Sequence, residues 1–221
     1  PLTVPAPVKG EHDANPPHFG MTQEKDPDFS AYKESGWYIH GMHSHAGYDE
    51  KTIRKNMEVY YGMVSLMDKY IGKILDKLDG LGLTDRTLVV FTTDHGHLFG
   101  QHGLHAKGPF LYEDMIRVPM IARYPGMISA GSRTKAMVSL VDLAPTFLDF
   151  CGCRLPRTMS GISQKPVWTG EKEQVRDHII CEHHHEPTTI HLKTYVNERY
   201  KITVYYGHEY GELYDLKEDP G

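Results

Sequence analysis

The chain has 221 residues, 39% of them hydrophobic, and a formal net charge of -5 from 24 basic and 29 acidic residues. This supplies a real core for one large domain, or for a domain plus a smaller unit. It offers no excess of positive charge to attract nucleic acid or an anionic membrane surface, and no apolar run near the roughly 20 residues that cross a bilayer.

Residues 1–35 are rich in proline, glycine and charge, with Asn15-Pro16-Pro17-His18 and Asp26-Pro27-Asp28 as turn signals, and read as a long irregular arm. The chain begins with Pro1 and stops at Asp219-Pro220-Gly221, so both ends read as cut, and localisation is left open. Between Asp49 and Leu78, Ile53, Met57, Tyr60, Val64, Met67, Ile71, Ile74 and Leu78 recur at alternating spacings of four and three, which predicts one long amphipathic helix packed on a sheet. Thr87 to Thr93 is a β-prone run without alternation, the pattern of a parallel strand covered on both faces. A second strand is expected over Pro119–Tyr124, and a helix over about Asp142–Phe150, with Pro145 in its first turn and Gly152 just past its end. Three cysteines are too few for a disulfide scaffold, and Cys151-Gly152-Cys153 lacks the gap of a zinc knuckle. Cys151, Cys153 and Cys181 are therefore expected to be buried thiols. After about Leu155 the segments His178–Cys181, Ile190–Tyr195 and Tyr200–Tyr205 read as short strands of a smaller antiparallel sheet.

Chemistry concentrates where the first strand ends. Asp94-His95-Gly96 falls at a carboxyl edge, the side on which open α/β sheets bind ligands. A carboxylate beside an imidazole offers a divalent cation one hard oxygen and one nitrogen, with further ligands required from elsewhere. The glycine-punctuated loop that follows leads to Lys107, a mobile point charge suited to a tetrahedral oxyanion. The bland alternative is a turn-capping Asp94, a packed His95 and a solvated Lys107. His40, His43 and His45 are candidates to line a substrate pocket. His183 and His185 would share one face of a strand, without a matching ligand at metal spacing. Glu113 and Arg117 are placed for an ion pair near the site.

Thr92-Thr93-Asp94-His95-Gly96, Gly100-Gln101-His102-Gly103-Leu104, Lys107-Gly108, Tyr112-Glu113 and Ile116-Arg117-Val118-Pro119 resemble, in order and spacing, consecutive blocks of the sulfatase family. Tyr60-Tyr61 through Met67-Asp68, with Ile71-Gly72, resembles the family's helix before this strand. Glu212-Leu213-Tyr214-Asp215-Leu216 followed by Asp219-Pro220 resembles its carboxyl-terminal signature. The likeness is strong over about residues 50–155 and looser beyond. It implies an α/β fold of the alkaline-phosphatase type: a mixed sheet flanked by helices, with residues 1–154 as the carboxyl-side part of the main domain and 155–221 as a smaller antiparallel subdomain.

The resemblance also implies that Asp94 and His95 bind calcium, with manganese, zinc or magnesium as alternatives, because histidine at 95 is softer than the asparagine many sulfatases carry there. It makes Lys107 the contact to sulfate. His102 and His105 stand close to that lysine in the sequence, His105 as a second substrate-binding candidate, with packing or supporting roles as the alternative. The family's nucleophile is a formylglycine made within a Cys-x-Pro-Ser-Arg motif. This sequence has none, so the nucleophile is expected upstream of the chain. The expected activity is sulfuric ester hydrolysis on a sulfated small molecule or saccharide. A phosphonate or phosphodiester hydrolase of the same superfamily and a non-catalytic, metal-containing binding protein are the alternatives, and no nucleic acid or membrane partner is indicated.

Overall fold

The structure, a computed structural model, describes residues 2–32, 41–184 and 190–218. His40, His185, Glu186 and the Asp219-Pro220 pair lie outside the described residues. The arm is less irregular than its composition suggests. Helix α1 (Pro17–Thr22) has proline at its start, where a missing N–H costs nothing. It drives Phe19 and His18 into the interior. Phe19, Phe29 and Tyr32 from the arm join Leu98, Leu104, Phe110, Ile190 and Tyr205 in one core. Burial of a ring such as Phe19 or Phe110 contributes roughly 2 kcal/mol, which is what fixes a proline-rich segment against the domain.

Helix α2 (Glu50–Gly80) runs 31 residues. Asp49 caps it by accepting from the Thr52 N–H at 2.8 Å. Glu50 and Lys77 complement the helix dipole at opposite ends, and Gly82 leaves in the left-handed region at φ 65°. Of the apolar stripe, Ile53 and Met57 are buried, whereas Tyr60, Val64, Met67 and Ile74 are exposed.

Strand β1 (Val89–Thr92) leads to the site residues. A two-stranded hairpin follows, β2 (Leu98–Phe99) with β3 (His105–Ala106). Then come the one-turn helix α3 (Glu113–Ile116), strand β4 (Met120–Arg123), helix α4 (Leu143–Phe150) and the short α5 (Lys165–Trp168). The apolar run at Thr87–Thr93 suggested a parallel strand covered on both faces. Instead β1 pairs antiparallel with β4, Thr92 opposite Met120, and Phe91 is exposed. An unalternating apolar run reports two apolar faces, not the direction of the neighbour. Cys151 and Cys153 are exposed, not buried, because they lie in the turn just past α4 with Gly152 at φ 68°. Cys181 is partly covered.

The carboxyl-terminal strands β5 (His178–His184), β6 (His191–Asn197), β7 (Tyr200–Tyr205) and β8 (Gly211–Asp215) form one antiparallel sheet in sequence order. In β7, Lys201, Thr203 and Tyr205 face inward while Tyr200, Ile202 and Val204 face out. A buried hydroxyl pair, Thr194 to Thr203 at 2.8 Å, joins β6 to β7. Arg199 holds the turn between those strands to β8, its Nε and Nη2 both donating to Asp215 Oδ2 at 3.0 and 2.8 Å.

Candidate active site

Strand β1 ends so that Asp94, His95 and Gly96 turn away from the sheet. Asp94 Oδ1 accepts from the His95 N–H at 3.0 Å and the Thr93 hydroxyl at 3.2 Å, which leaves the rest of the carboxylate facing outward, 81% exposed. The adjacent His95, aided by these hydrogen bonds, holds the Asp94 carboxyl below its ordinary range. His95 Nδ1 donates to the Gly96 carbonyl at 2.8 Å, so Nε2 presents its lone pair. That lone pair accepts from the Lys107 ammonium at 3.1 Å and lies 3.4 Å from Asp94 Oδ2. The ring is thus oriented in the tautomer a metal ligand needs, with its other nitrogen committed to the backbone. One carboxylate oxygen and one imidazole nitrogen side by side fit one flank of a divalent-cation site. Among the described residues no group of three or more His, Cys, Asp or Glu is gathered for a metal ion, so a complete shell takes further ligands.

Lys107 is delivered by the β2–β3 hairpin. Leu98 and Leu104 anchor it, both fully buried, and Gly100 N–H donates to Leu104 O at 2.9 Å across its mouth. The turn uses left-handed backbone at Gly100, His102, Gly103 and Ala106 (φ 98°, 56°, 63° and 64°). For His102 and Ala106 that conformation costs on the order of 1 kcal/mol each. Behind the lysine, Gly41 at φ 80° approaches so closely that a Cβ there would stand 2.3 Å from the Lys107 carbonyl oxygen.

Asp94, His95 and Lys107 line one end of an open cleft of about 1120 Å³. Its walls include Glu113, Arg117 and Lys135 from the α/β part and Cys181, His183 and Asn197 from the sheet β5–β8. Glu113 and Arg117 do meet, but at 3.9 Å and largely in solvent, so the pair adds little stability. The 138–141 wall is fixed by Asp142. Its fully buried carboxylate accepts from Ser139 N–H at 3.1 Å, Ile162 N–H at 2.8 Å and Gln164 Nε2 at 2.8 Å, and pairs with Arg176. Lys135 and Asn197 carry no signal in the sequence, since only tertiary packing brings residue 135 and the β6 end to one cleft.

The other histidines are placed elsewhere. His105 is buried and stacked on Tyr48, with ring centroids 4.0 Å apart, and does not line the cleft. His43 and His45, expected in the pocket, pack against each other at 4.5 Å, and His45 against His105 at 5.5 Å. The physical reason is that Tyr48 and Phe110 offer these rings an aromatic niche behind the hairpin. Burial pushes His18 and His45 down to about 3 and His105 down to about 4. Between those values and the ordinary histidine value of 6.5 the unfolded chain binds more protons, so stability rises with pH there and falls on acidification. Urea unfolding of the protein is expected to lose on the order of 3 kcal/mol from pH 7 to pH 5. A flat profile would mean that these rings stay protonatable in the fold.

Comparison with known proteins places these features. Residues 13–153 match the sulfatase family, and residues 100–221 match the C-terminal region of N-sulphoglucosamine sulphohydrolase. An N-acetylglucosamine-6-O-sulfatase of Bacteroides thetaiotaomicron is 37% identical over 171 residues, 74% of this chain and 30% of that protein. A structure solved with D-glucosamine-2-N,6-O-disulfate as its substrate superposes with a TM-score of 0.71 at 34% identity, over 76% of this chain and 35% of the other. The phosphonate monoester hydrolase of Agrobacterium radiobacter superposes with a TM-score of 0.74 at 25% identity, over 98% of this chain and 45% of the other. The chain therefore spans between about a third and a half of the length of these relatives.

Proposed function

Because this chain belongs to the sulfatase family, we propose that it forms part of a sulfuric ester hydrolase acting on a sulfated saccharide. The observation that carries this reading is the meeting of Asp94, His95 and Lys107 at one end of a cleft. Asp94 and His95 would hold a divalent cation, calcium first, with manganese, zinc or magnesium as alternatives. Bound there, the ion supplies Lewis-acid charge beside the ester. Lys107 donates to a sulfate oxygen and offsets the charge that grows as the alcohol leaves. Gly96 and the Gly96 carbonyl hold the His95 ring in place, and the hairpin sets the lysine against it. His105, in β3 of the same hairpin, stacks on Tyr48 away from the cleft. The nucleophile is assigned to a formylglycine outside these 221 residues.

In this reading residues 1–154 supply the α/β wall of the cleft and residues 155–221 a smaller unit that forms the facing wall. Arg117, Lys135 and Asn197 give that cleft donors for the hydroxyls and acidic groups of a sugar. The glucosamine sulfates named for the N-acetylglucosamine-6-O-sulfatase and for the structure with bound substrate make an amino-sugar sulfate the first substrate to try. A phosphonate ester is the second reading. It is favoured by histidine at 95, a softer donor than an amide oxygen, and by the likeness to a phosphonate monoester hydrolase.

The test uses the full-length protein. Peptide mass spectrometry is expected to find a formylglycine, and glucosamine-6-sulfate is expected to release sulfate faster than a phosphonate monoester releases its alcohol. An unmodified serine or threonine with phosphonate turnover would transfer the assignment to the second reading. No turnover of either ester, with metal still bound, would make it a binding protein.

A further inference from the structure

His102 lies outside the cleft yet is gripped from both sides. Its Nδ1 donates to Glu11 Oε1 of the amino-terminal arm at 2.5 Å, and its Nε2 faces Asp114 Oδ2 of α3 at 3.7 Å. Its ring lies flat on Tyr112, with centroids 3.8 Å apart and planes within 8°. Its own carbonyl accepts from His12 Nε2 at 2.8 Å. His12 in turn accepts through Nδ1 from Asn15, which also donates to the Tyr112 hydroxyl at 2.9 Å. The arm therefore binds this one residue through both ring and backbone.

The gripped residue is also one of the two non-glycine residues in the left-handed region among those described, the other being Ala106 next to Lys107. Left-handed backbone is uphill for residues with a Cβ and persists where surrounding contacts over-determine it. Gln23 Nε2 donates to the Gly103 carbonyl at 3.1 Å, a further tie from the arm to the same turn. On the opposite side, Gly96 N–H donates to Met115 O at 2.8 Å, so α3 holds both the Asp94-His95 turn and the Asp114 side of the clamp.

We propose that His102 is a positioning residue for Lys107. The Glu11 carboxylate and the Tyr112 ring fix its imidazole, the imidazole fixes the left-handed turn, and the turn sets the reach of the lysine toward His95 Nε2. This rests on the reading of Lys107 as the sulfate contact, and it makes the arm around Glu11 a working part of the site.

Double-mutant kinetics on the full-length enzyme test it. Glu11→Ala is expected to lower kcat/KM about tenfold for a misplaced lysine. Glu11→Gln, whose amide oxygen still accepts from Nδ1–H, should keep most of the activity. His102→Asn, which tolerates the left-handed turn but loses the ring, should match Glu11→Ala. In the Lys107→Ala background Glu11→Ala should change the residual rate less than twofold, because the group it positions is gone. Amide hydrogen exchange of residues 100–108, accelerated in Glu11→Ala, reads the clamp independently of turnover. Equal losses in both backgrounds, or unchanged exchange in the hairpin, overturn the proposal while leaving the assignment of Lys107 intact. Full activity in Lys107→Ala alone overturns that assignment and this proposal with it.

Discussion

Lys107→Ala in the full-length enzyme is expected to lower kcat/KM on sulfate esters by about 10²–10³, with the thermal midpoint little changed. The lysine is partly exposed, and among the described residues its ammonium has one close partner, His95 Nε2 at 3.1 Å. Removing it deletes one charge from the cleft without opening a cavity. Lys107→Arg should recover only part of the rate. A planar guanidinium is larger than an ammonium and presents its donors as a fixed fork, while the hairpin that sets the reach is held from behind by Gly41 against the Lys107 carbonyl. Steady-state kinetics with both variants decide the matter, and a loss below tenfold in Lys107→Ala would mean that this ammonium does not meet the transferred group.

Gly96→Ala is expected to cost roughly 4 kcal/mol or more in unfolding free energy, and to abolish activity in whatever folds. A Cβ at residue 96 would stand 1.7 Å from the Asp114 carbonyl oxygen, 2.7 Å from its carbon and 3.0 Å from Met115 Cα. All three atoms are backbone, so no side-chain rotation relieves the overlap. Either the turn after β1 moves away from α3, breaking the 2.8 Å bond from Gly96 N–H to Met115 O, or α3 moves and takes Asp114 with it. Both shifts displace Asp94 and His95 relative to Lys107. Chemical denaturation and metal content measured together would show it. A variant within 1 kcal/mol of the parent and fully active would show that the approach of α3 is not needed for the site.

The placement of the candidate residues was legible because it is local. Asp94-His95-Gly96 at a strand end and Lys107 at the close of a glycine-marked loop are features of short sequence separation, and backbone geometry carries them into the structure with little help from distant contacts. The spacing of Ile53, Met57 and Tyr60 likewise specified α2, since a 3.6-residue period is a property of the segment itself. The strand signal at Tyr200–Tyr205 was legible too, but not its facing: the apolar Ile202 and Val204 lie outward while Lys201, Thr203 and Tyr205 are buried.

What depended on packing was not legible. The prolines mark the arm as irregular, yet Phe19 and Tyr32 pin it into the core, because an aromatic ring's gain on burial depends on partners such as Phe110 and Tyr205 far away in the chain. His43 and His45 resembled pocket residues by type, whereas the niche formed by Tyr48, His105 and Phe110 draws them behind the hairpin. The antiparallel pairing of β1 with β4 and the grip of Glu11 on His102 join residues about 30 and 91 positions apart. By itself, then, the sequence determined the helix, the strand signals and the family, and it nominated Asp94, His95 and Lys107 as candidates for the chemistry. The tertiary structure decided which of them face the cleft and what holds them there, since long-range contacts are set by shape and burial and leave no period or spacing in the chain.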